Sequence, residues 1–483
     1  MALSPADPNS HSRPDLILTT NLTFDWDIHF DTKTVTGVVR ITCKRLCDCK
    51  SLLLDVNKLQ IFTVKYNESE ELKYDIGPEG SCGSKMEIHL PEDCQTEFII
   101  MIKYSTSPES PALDWVTPEQ TSGGKHPFVY SQGQAILNRS LFPCQDSPGV
   151  KTPYQASIRC PSQLRVVMSA LGVGEPRHLD GDITEYKFDQ PVPIPSYLVA
   201  FAAGDLEARE IGPRSTVYAE KEHIDKAAFD FSETDDMLKT AEELCGPYLW
   251  TRYDILVLPP SFAFGGMENP CLTFVTPTLL TGDKSNSGVI AHEISHSWTG
   301  NLVTNSNFEH FWLNEGFTVF TERKIKGRLN SEADRHFTSL LRWKELEECV
   351  YEEFDPEHEY TKLVPSLIGV DPDDAFCRIP YEKGSTFLWY LEQLVGGAAV
   401  FEPFLKSYFK EFTYKSLDSN AFKSFFNNYF KDKEAISSID WDTWLYKPGM
   451  PPYKPDFDTK LAEACWNLAE KWIKWDKNKV FLL

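Results

Sequence analysis

The sequence of 483 residues lacks the features that mark several large classes of protein. No segment approaches the roughly 18 consecutive apolar residues that a membrane-spanning helix needs. Residues 1–8 carry neither the basic start nor the apolar run of a secretory signal. We therefore expect a cytoplasmic protein without a membrane span.

Positive charge is scarce as well. The chain has 48 Lys and Arg residues against 71 Asp and Glu residues, which gives a net charge of −23 at pH 7. This charge argues against nucleic acid and anionic membrane surfaces as partners, because both repel an acidic protein. It is compatible with cationic, amine-bearing substrates, although general solubility is the simpler explanation.

A disulfide framework is also missing from the sequence. The twelve cysteines are scattered, and no second pair follows the group Cys43, Cys47 and Cys49 at the spacing of a zinc ribbon. We interpret the cysteines as reduced thiols, which agrees with a cytoplasmic location. The apolar content of 41% is enough to bury a core, and the length predicts two or three domains.

The predicted fold is multi-domain α+β. Residues 1–209 are expected to form an N-terminal β domain that resembles an antiparallel sandwich, because short alternating runs recur between turn signals. In one such run Trp26, Ile28 and Phe30 alternate with charged residues. Residues 210–447 combine helical periodicity with a few strands, which indicates an α+β domain.

Residues 448–483 begin with a proline-rich linker. An amphipathic helix capped by Asp458 follows, and its apolar stripe runs from Leu461 to Trp472. A single amphipathic helix leaves its apolar face without a partner. We therefore expect this segment to be the truncated start of a C-terminal helical domain.

The most informative motif is H-E-x-x-H at residues 292–296. His292 and His296 are one helical turn apart, so both imidazoles can reach one zinc ion, while Glu293 can take a proton from the zinc-bound water. Glu315, nineteen residues after the second histidine, can supply an oxygen ligand from a second helix. Three protein ligands leave one position open, which is typical of a catalytic zinc site.

A glycine-rich loop precedes the zinc motif. Gly265 and Gly266 would let a peptide backbone approach closely, and Glu268 could accept charge-assisted hydrogen bonds from a free α-ammonium group. Taken alone, the loop is better explained as a simple turn. Beside the zinc motif, we favour an amine clamp and therefore an exopeptidase.

Together these motifs resemble those of the thermolysin-like zinc aminopeptidases, in the branch of the leukotriene A4 hydrolases and aminopeptidase B. The resemblance extends from about residue 15 to about residue 475. The matching segments are residues 265–277, 280–285, 292–305 and 380–384.

The resemblance implies a role for each site residue. One zinc ion per chain would be bound by His292, His296 and Glu315, and Glu293 would act as general base. Tyr381 would donate its hydroxyl hydrogen to the oxyanion, although without the resemblance an aromatic residue packed in the core is the better interpretation. The implied substrate-binding residues are Gln132, Gly133, Gln134, Ala263, Phe264, Gly265, Gly266, Met267, Glu268 and Asp373.

Three positions qualify the resemblance. Asp373 corresponds to a pocket aspartate that favours an arginine side chain and directs water in the epoxide reaction, but a solvated loop carboxylate is an equally good interpretation. Phe264 and Phe376 stand where the epoxide hydrolases have tyrosines, so the rings are kept and two hydroxyls are lost. Peptide cleavage should tolerate this change better than the positioning of a fatty epoxide.

The sequence therefore predicts a monomeric zinc aminopeptidase that acts on short peptides with a free N-terminus. Hydrolysis of the leukotriene A4 epoxide, a step of leukotriene B4 biosynthesis, is the expected second activity of the full-length form, with a fatty-acid epoxide as substrate. Family members carry a further helical domain whose basic residues bind the substrate carboxylate, and this chain ends at Leu483. The alternatives are a truncated isoform that binds or regulates a partner with little catalysis, and a zinc endopeptidase.

Overall fold

The computed structural model describes residues 3–479. Strands dominate the first two hundred residues. In chain order they are β1 Ile17–His29, β2 Thr34–Arg45, β3 Ser51–Val56, β4 Gln60–Tyr66, β5 Glu70–Glu71, β6 Tyr74–Ile76, β7 Ser84–His89, β8 Glu97–Ser105, β9 Leu113–Val116, β10 Phe128–Ser131, β11 Lys151–Pro161, β12 Arg165–Met168, β13 Leu171–Gly172, β14 Arg177–Leu179, β15 Ile183–Pro195 and β16 Phe201–Gly204.

These strands form three sheets with nine, four and three strands. The largest has the order β13-β15-β11-β1-β2-β8-β4-β5, with β14 on β15. Burial alternates along β1 of this sheet. Phe24 and Trp26 are buried on one face, and Asp25 between them lies on the other face. The expected antiparallel pairing is found throughout this sheet except between β1 and β11, which run parallel.

Aromatic side chains hold the large sheet against the four-stranded sheet, whose order is β12-β16-β10-β9. Trp26 of β1 packs on Phe201 of β16 with ring centroids 5.7 Å apart, and Phe24 packs on Phe142 at 4.8 Å. Two sheets that share an aromatic core in this way form a sandwich-like arrangement. The predicted β-rich N-terminal part is therefore confirmed.

Helices dominate the rest of the chain, beside seven further strands. The strands are β17 Glu207–Gly212, β18 Ser215–Ala219, β19 Asp254–Val257, β20 Gly266–Met267, β21 Leu272–Val275, β22 Thr304–Asn305 and β23 Ser416–Leu417. The helices are α1 Ile224–Asp230, α2 Thr234–Cys245, α3 Gly288–His296, α4 Trp312–Leu329, α5 Glu332–Glu348, α6 Ile379–Val395, α7 Ala398–Phe412, α8 Ser419–Tyr429, α9 Trp441–Tyr446 and α10 Lys460–Lys479.

A five-stranded sheet with the order β17-β18-β19-β21-β20 joins the two parts of the chain. Its first strand begins at Glu207, so the expected division between residues 209 and 210 falls inside that strand. The short strand β20 lies at one edge of this sheet, beside the helices that carry the candidate site.

Helices α4 and α6 approach each other closely at two glycines. A Cβ atom on Gly384 would lie 2.9 Å from the Cα of Gly316, a distance that no side chain tolerates. Gly316 follows Glu315 on α4, and Gly384 lies one turn after Tyr381 on α6. The close approach therefore sets the position of Tyr381 relative to the metal-ligating helix.

The last helix, α10, begins after the predicted cap, since the backbone N–H of Lys460 donates to Oδ1 of Asp458 at 2.9 Å. Leu468 and Trp472 on its apolar stripe are more than half exposed. All twelve cysteines lie within the described residues, and their thiols are free. Over residues 3–479 we find no helix with the length and apolar character needed to cross a membrane.

Candidate metal centre and substrate cleft

Helix α3 presents His292 and His296 one turn apart, with their Nε2 atoms 3.2 Å from each other. Helix α4 brings Oε2 of Glu315 to 3.5 Å from Nε2 of His292 and to 3.4 Å from Nε2 of His296. The three predicted ligands therefore converge on one point, with His296 and Glu315 buried and His292 nearly so.

The spacing of the three atoms fits a tetrahedral metal ion. Ligand atoms about 2.0–2.1 Å from a tetrahedral zinc ion lie roughly 3.3 Å from one another. The carboxylate oxygen Oε2 of Glu315 is buried and has no hydrogen-bond partner, and a buried acceptor without a partner is costly. A bound dication would satisfy all three atoms at once.

The outer nitrogens of both imidazoles lie beside hydrogen-bond acceptors, which leaves the Nε2 atoms to face the metal position. Nδ1 of His296 donates to the carbonyl oxygen of Thr299 at 2.9 Å, and Nδ1 of His292 lies 3.1 Å from the Glu322 carboxylate, which can only accept. A neutral imidazole that donates through Nδ1 presents a lone pair at Nε2. When both rings are neutral, two lone pairs and a carboxylate oxygen thus face one another, and a bound metal ion or a proton at Nε2 removes their repulsion.

Sequence analysis did not identify Glu322. It lies two turns after Glu315 on the same face of α4 and receives a hydrogen bond from Nζ of Lys326 at 2.6 Å. Burial acts to raise the pKa of Glu322, but Lys326 and His292 hold the carboxyl ionised and lower its pKa. The seven-residue spacing from Glu315 was the signal that could have revealed it.

A second group of possible ligands consists of Glu268, Glu293 and His296, all buried. Its geometry is less suitable, because Oε1 of Glu268 is 4.0 Å from Nδ1 of His296. That nitrogen already donates to the Thr299 carbonyl oxygen, so it has no lone pair for a metal. The triad of His292, His296 and Glu315 is the better metal site.

Glu293 lies beside the triad with its Oε2 atom buried and unpaired. Burial, with a smaller contribution from the carboxylates of Glu268 and Glu315, raises the pKa of Glu293 to about 7. A Cβ atom at position 266 would collide with the Glu293 carboxylate. The absence of a side chain at Gly266 therefore leaves room for this carboxylate.

Tyr381 lies in the first turn of α6, and its ring is nearly parallel to that of His292 with centroids 6.3 Å apart. Phe311 and Phe376 pack edge-on against it at 6.1 and 6.0 Å. Burial, followed by the carboxylates of Glu315 and Glu268, raises the pKa of the Tyr381 phenol well above its usual value. The hydroxyl stays protonated and is available as a hydrogen-bond donor.

The predicted amine clamp lies on the other side of the triad. Glu268 is 4% exposed, and Nε2 of Gln134 donates to its Oε1 at 3.3 Å. Gln132 instead contacts the sulfur of Met267, with Nε2 3.3 Å from Sδ. Gly133 packs against Asn138 and the Tyr197 carbonyl, where a side chain would collide.

The structure therefore brings Gln134 to Glu268, whereas Gly133 serves the local packing of the backbone. Burial raises the pKa of Glu268, and positive charge on the nearby His296 ring opposes this effect. A cation beside Glu268 would favour its ionised form.

A cleft of about 680 Å³ is lined by His292 and Glu293. Its walls include four of the predicted substrate-binding residues, namely Ala263, Phe264, Gly265 and Gly266. Met267 is buried behind them. Strand β20 pairs only with β21 within the described residues, so its outer edge offers backbone groups to an extended peptide.

Asp373 lies apart from the triad, at an apolar cavity of about 240 Å³ that adjoins the cleft at Phe264 and Phe376. Its Oδ1 accepts a hydrogen bond from the backbone N–H of Ala135 at 3.3 Å. The Asp373 side chain is exposed at the cavity rim, but desolvation by the surrounding protein, and then the nearby carboxylate of Asp371, raise its pKa to about 6. Phe264 and Phe376 pack edge-on at 6.4 Å.

Comparison with known proteins agrees with this geometry. Residues 13–198 match the Peptidase M1 N-terminal domain, and residues 229–444 match the Peptidase family M1 domain. Leukotriene A-4 hydrolase of Xenopus laevis is 47% identical over 475 residues, which are 97% of this chain and 78% of that protein. Leucine aminopeptidase 2 of Neosartorya fischeri is 44% identical over 482 residues, which are 97% of this chain and 77% of that protein.

Solved structures show the same relationship. Yeast LTA4 hydrolase in complex with bestatin superimposes with a TM-score of 0.92 at 41% identity, covering 98% of this chain and 74% of that one. The M1 zinc metallopeptidase from Deinococcus radiodurans shares the fold, with a TM-score of 0.74 at 19% identity over 91% of this chain and 96% of that one.

Proposed function

The chain belongs to peptidase family M1 and is a zinc-dependent hydrolase, and we propose that it removes single residues from the free amino ends of short peptides. One observation carries the proposal: the buried carboxylate of Glu268, with Gln134, lies beside a three-ligand metal site. A peptide whose ammonium group binds there has its first peptide bond next to the metal.

We propose that His292, His296 and Glu315 hold one zinc ion per chain. When bound, zinc would act as a Lewis acid and would lower the pKa of a water molecule bound to it to about 7. Glu293 accepts a proton from the attacking water and delivers it to the leaving amine. Tyr381 donates its hydroxyl hydrogen to the carbonyl oxygen of the scissile bond as negative charge develops there.

Residues 263–267 and the open edge of β20 hold the peptide backbone in this proposal. Main-chain hydrogen bonds to a strand edge bind an extended peptide without regard to its side chains. Glu268 and Gln134 bind its free ammonium group. Asp373 faces the first side chain, where a carboxylate favours arginine or lysine.

We propose an epoxide-bearing fatty acid as a second substrate, because the cavity beside the cleft is lined mainly by apolar residues. Phe264 and Phe376 keep this wall apolar, while Asp373 is the polar group that can direct water. The measurement is formation of a dihydroxy acid by the parent protein. Its absence, with peptide cleavage intact, would limit the protein to peptides.

We propose further that the protein is a cytoplasmic monomer. Its expected divisions are 1–209, 210–447 and 448–483. Because strand β17 begins at Glu207, we place the first boundary at about residue 206. Free thiols throughout agree with a reducing compartment. A non-catalytic partner role has no support, since the described residues bring the ligands and the base together.

The test compares the parent with Glu293→Gln on aminoacyl-anilides. We expect the variant to bind zinc as the parent does and to lose about 100- to 10,000-fold in kcat, the range of general-base catalysis. Zinc is measured by elemental analysis of the purified proteins. Equal rates for the two proteins would refute the proposal.

The same assay separates an aminopeptidase from an endopeptidase. N-acetylation removes the charge that Glu268 binds, so acetylated peptides should resist the parent protein. Cleavage of the acetylated and free peptides at similar rates would favour the endopeptidase.

A further inference from the structure

Residues 4–12, here called the N-terminal strap, contact both the β-rich part and the helical part of the molecule, and most of them are buried. Asn9, Ser10 and Ser12 are all 0% exposed. This burial is unusual for a polar segment near the start of a chain, where few contacts normally hold the backbone. The strap contains no motif that sequence analysis would single out.

The strap is anchored on the β-rich side by charged side chains. Oγ of Ser10 donates to Oδ2 of Asp55 at 2.6 Å, and Nη1 of Arg139 donates to the carbonyl oxygen of Asn9 at 2.9 Å. Asp55 and Arg139 are themselves fully buried. These contacts fix the position of the Asn9 backbone.

On the helical side, the amide of Asn9 holds a turn of the chain. Nδ2 of Asn9 donates to the carbonyl oxygen of Leu367 at 3.0 Å and to that of Val370 at 2.7 Å. Both amide hydrogens are thereby used. Val370 also receives a weaker contact from the thiol of Cys82, whose sulfur is 3.7 Å from the carbonyl oxygen. Asn9 is the main tie between the strap and this turn.

The held turn leads directly to Asp373. A short 3-10 helix, Pro372–Ala375, follows Val370, and Asp373 in it accepts from the N–H of Ala135. Leu367 and Asp373 line the same apolar cavity, together with Gln134. A shift of the turn therefore moves one wall of that cavity relative to Gln134, which contacts Glu268.

We propose that Asn9 is a positioning residue for substrate selection: through the carbonyl oxygens of Leu367 and Val370 it holds Asp373 at the distance from Gln134 and Glu268 that the first substrate residue requires. This inference rests on the proposed aminopeptidase function. It assigns to a residue remote from the metal a control over which first residue is accepted.

The chain offers a matched control for this role. Ser10 is a neighbouring strap residue, equally buried, and its side chain bonds to Ser12 and Asp55 but, among the described residues, to none in the helical part. If the strap only stabilises the fold, Asn9→Ala and Ser10→Ala should have similar consequences. If Asn9 positions the turn, only the first change reaches Asp373.

The first measurement is hydrogen–deuterium exchange of the 483-residue protein over residues 363–379. Backbone amides there are held by hydrogen bonds, for example from Leu367 N–H to the Glu309 carboxylate on another segment at 2.9 Å. We expect faster exchange of this segment in Asn9→Ala and in Asn9→Asp, which keeps the size but loses both donors. Ser10→Ala should exchange as the parent does in this segment.

The second measurement is the ratio of kcat/KM for arginyl- and alanyl-anilide. We expect Asn9→Ala to lower this ratio about fivefold, the effect of one hydrogen bond of ordinary strength. In an Asp373→Asn background the same change should leave the ratio unaltered, because the group that Asn9 positions is gone. Zinc content should be that of the parent in every variant.

Either of two results would overturn the inference: equal exchange of residues 363–379 in Asn9→Ala and the parent, or effects of Asn9→Ala and Asp373→Asn that simply add. A parent that cleaves no anilide would instead refute the aminopeptidase function. The exchange measurement would then still decide whether Asn9 holds the turn.

Discussion

The metal centre and the substrate wall, defined here as Gln134, Glu268 and Asp373, differ in how far apart their residues lie in the chain. The metal centre comes from two successive helices, between His292 and Glu322. The substrate wall comes from three distant segments, and its position also depends on Asn9. Local helix geometry determines the first region, whereas long-range packing determines the second.

The hydrogen bonds of the two regions also differ in length. The contacts that orient the two histidines measure 2.9 and 3.1 Å. The contacts from Gln134 to Glu268 and from Ala135 to Asp373 are both 3.3 Å, near the limit of a good N–H···O bond. The hydrogen bonds that orient the histidines are thus shorter than those that hold the substrate wall.

After Glu293→Gln, the largest effect is expected at Tyr381, whose ring lies beside His292 of the metal centre and beside Phe376. Tyr381→Phe should lower kcat about 100- to 1,000-fold and leave KM nearly unchanged, because the lost hydrogen bond forms mainly in the transition state. Steady-state kinetics on alanyl-anilide measure this. Tyr360, which lines the apolar cavity, is the control, and Tyr360→Phe should keep the parent kcat. A loss confined to KM would place Tyr381 in the substrate wall.

A smaller effect is expected within the metal centre. Glu322→Gln keeps a hydrogen-bond acceptor for His292 but removes its charge, so zinc affinity should fall about 10- to 100-fold. Competition with a chelator measures the affinity. Glu411, which forms a similar pair with Lys415 at 3.1 Å, is the control. An unchanged affinity would show that the α3 and α4 backbones alone orient the ligands.

The smallest effect is expected from pH at the substrate wall. The pKa of Asp373 is raised to about 6, so its carboxylate is neutral below that pH and charged above it. The ratio of kcat/KM for arginyl- over alanyl-anilide should therefore rise a few-fold between about pH 5 and pH 7. Taking a ratio cancels titrations that affect both substrates alike. Asp373→Asn should flatten the profile, and a parent ratio independent of pH would remove Asp373 from recognition of the first residue.

Several parts of the molecule were predictable because their signal is local. Alternating residues predicted β1 and β2, and the four-residue spacing of His292 and His296 predicted one face of α3. Glu315 followed from its spacing to that motif. Glu322 had a signal of the same kind, a seven-residue spacing on α4, and was missed.

Other parts carried no such signal. The parallel pairing of β1 with β11 joins strands more than a hundred residues apart, and nothing in either strand specifies its direction. The space that Gly266 leaves for Glu293 depends on the approach of β20 to α3, which no local pattern specifies. The strap residues carry no motif, and their structural role comes from their buried partners.

From local spacing alone, the sequence predicts a zinc site with two histidines, a glutamate ligand and a general base. These residues lie on two neighbouring helices. The arrangement of Asn9, Gln134, Glu268 and Asp373 carries no such local signal and emerges in the folded molecule. A helix repeats its geometry along the chain, whereas contacts between distant segments depend on how the whole core packs.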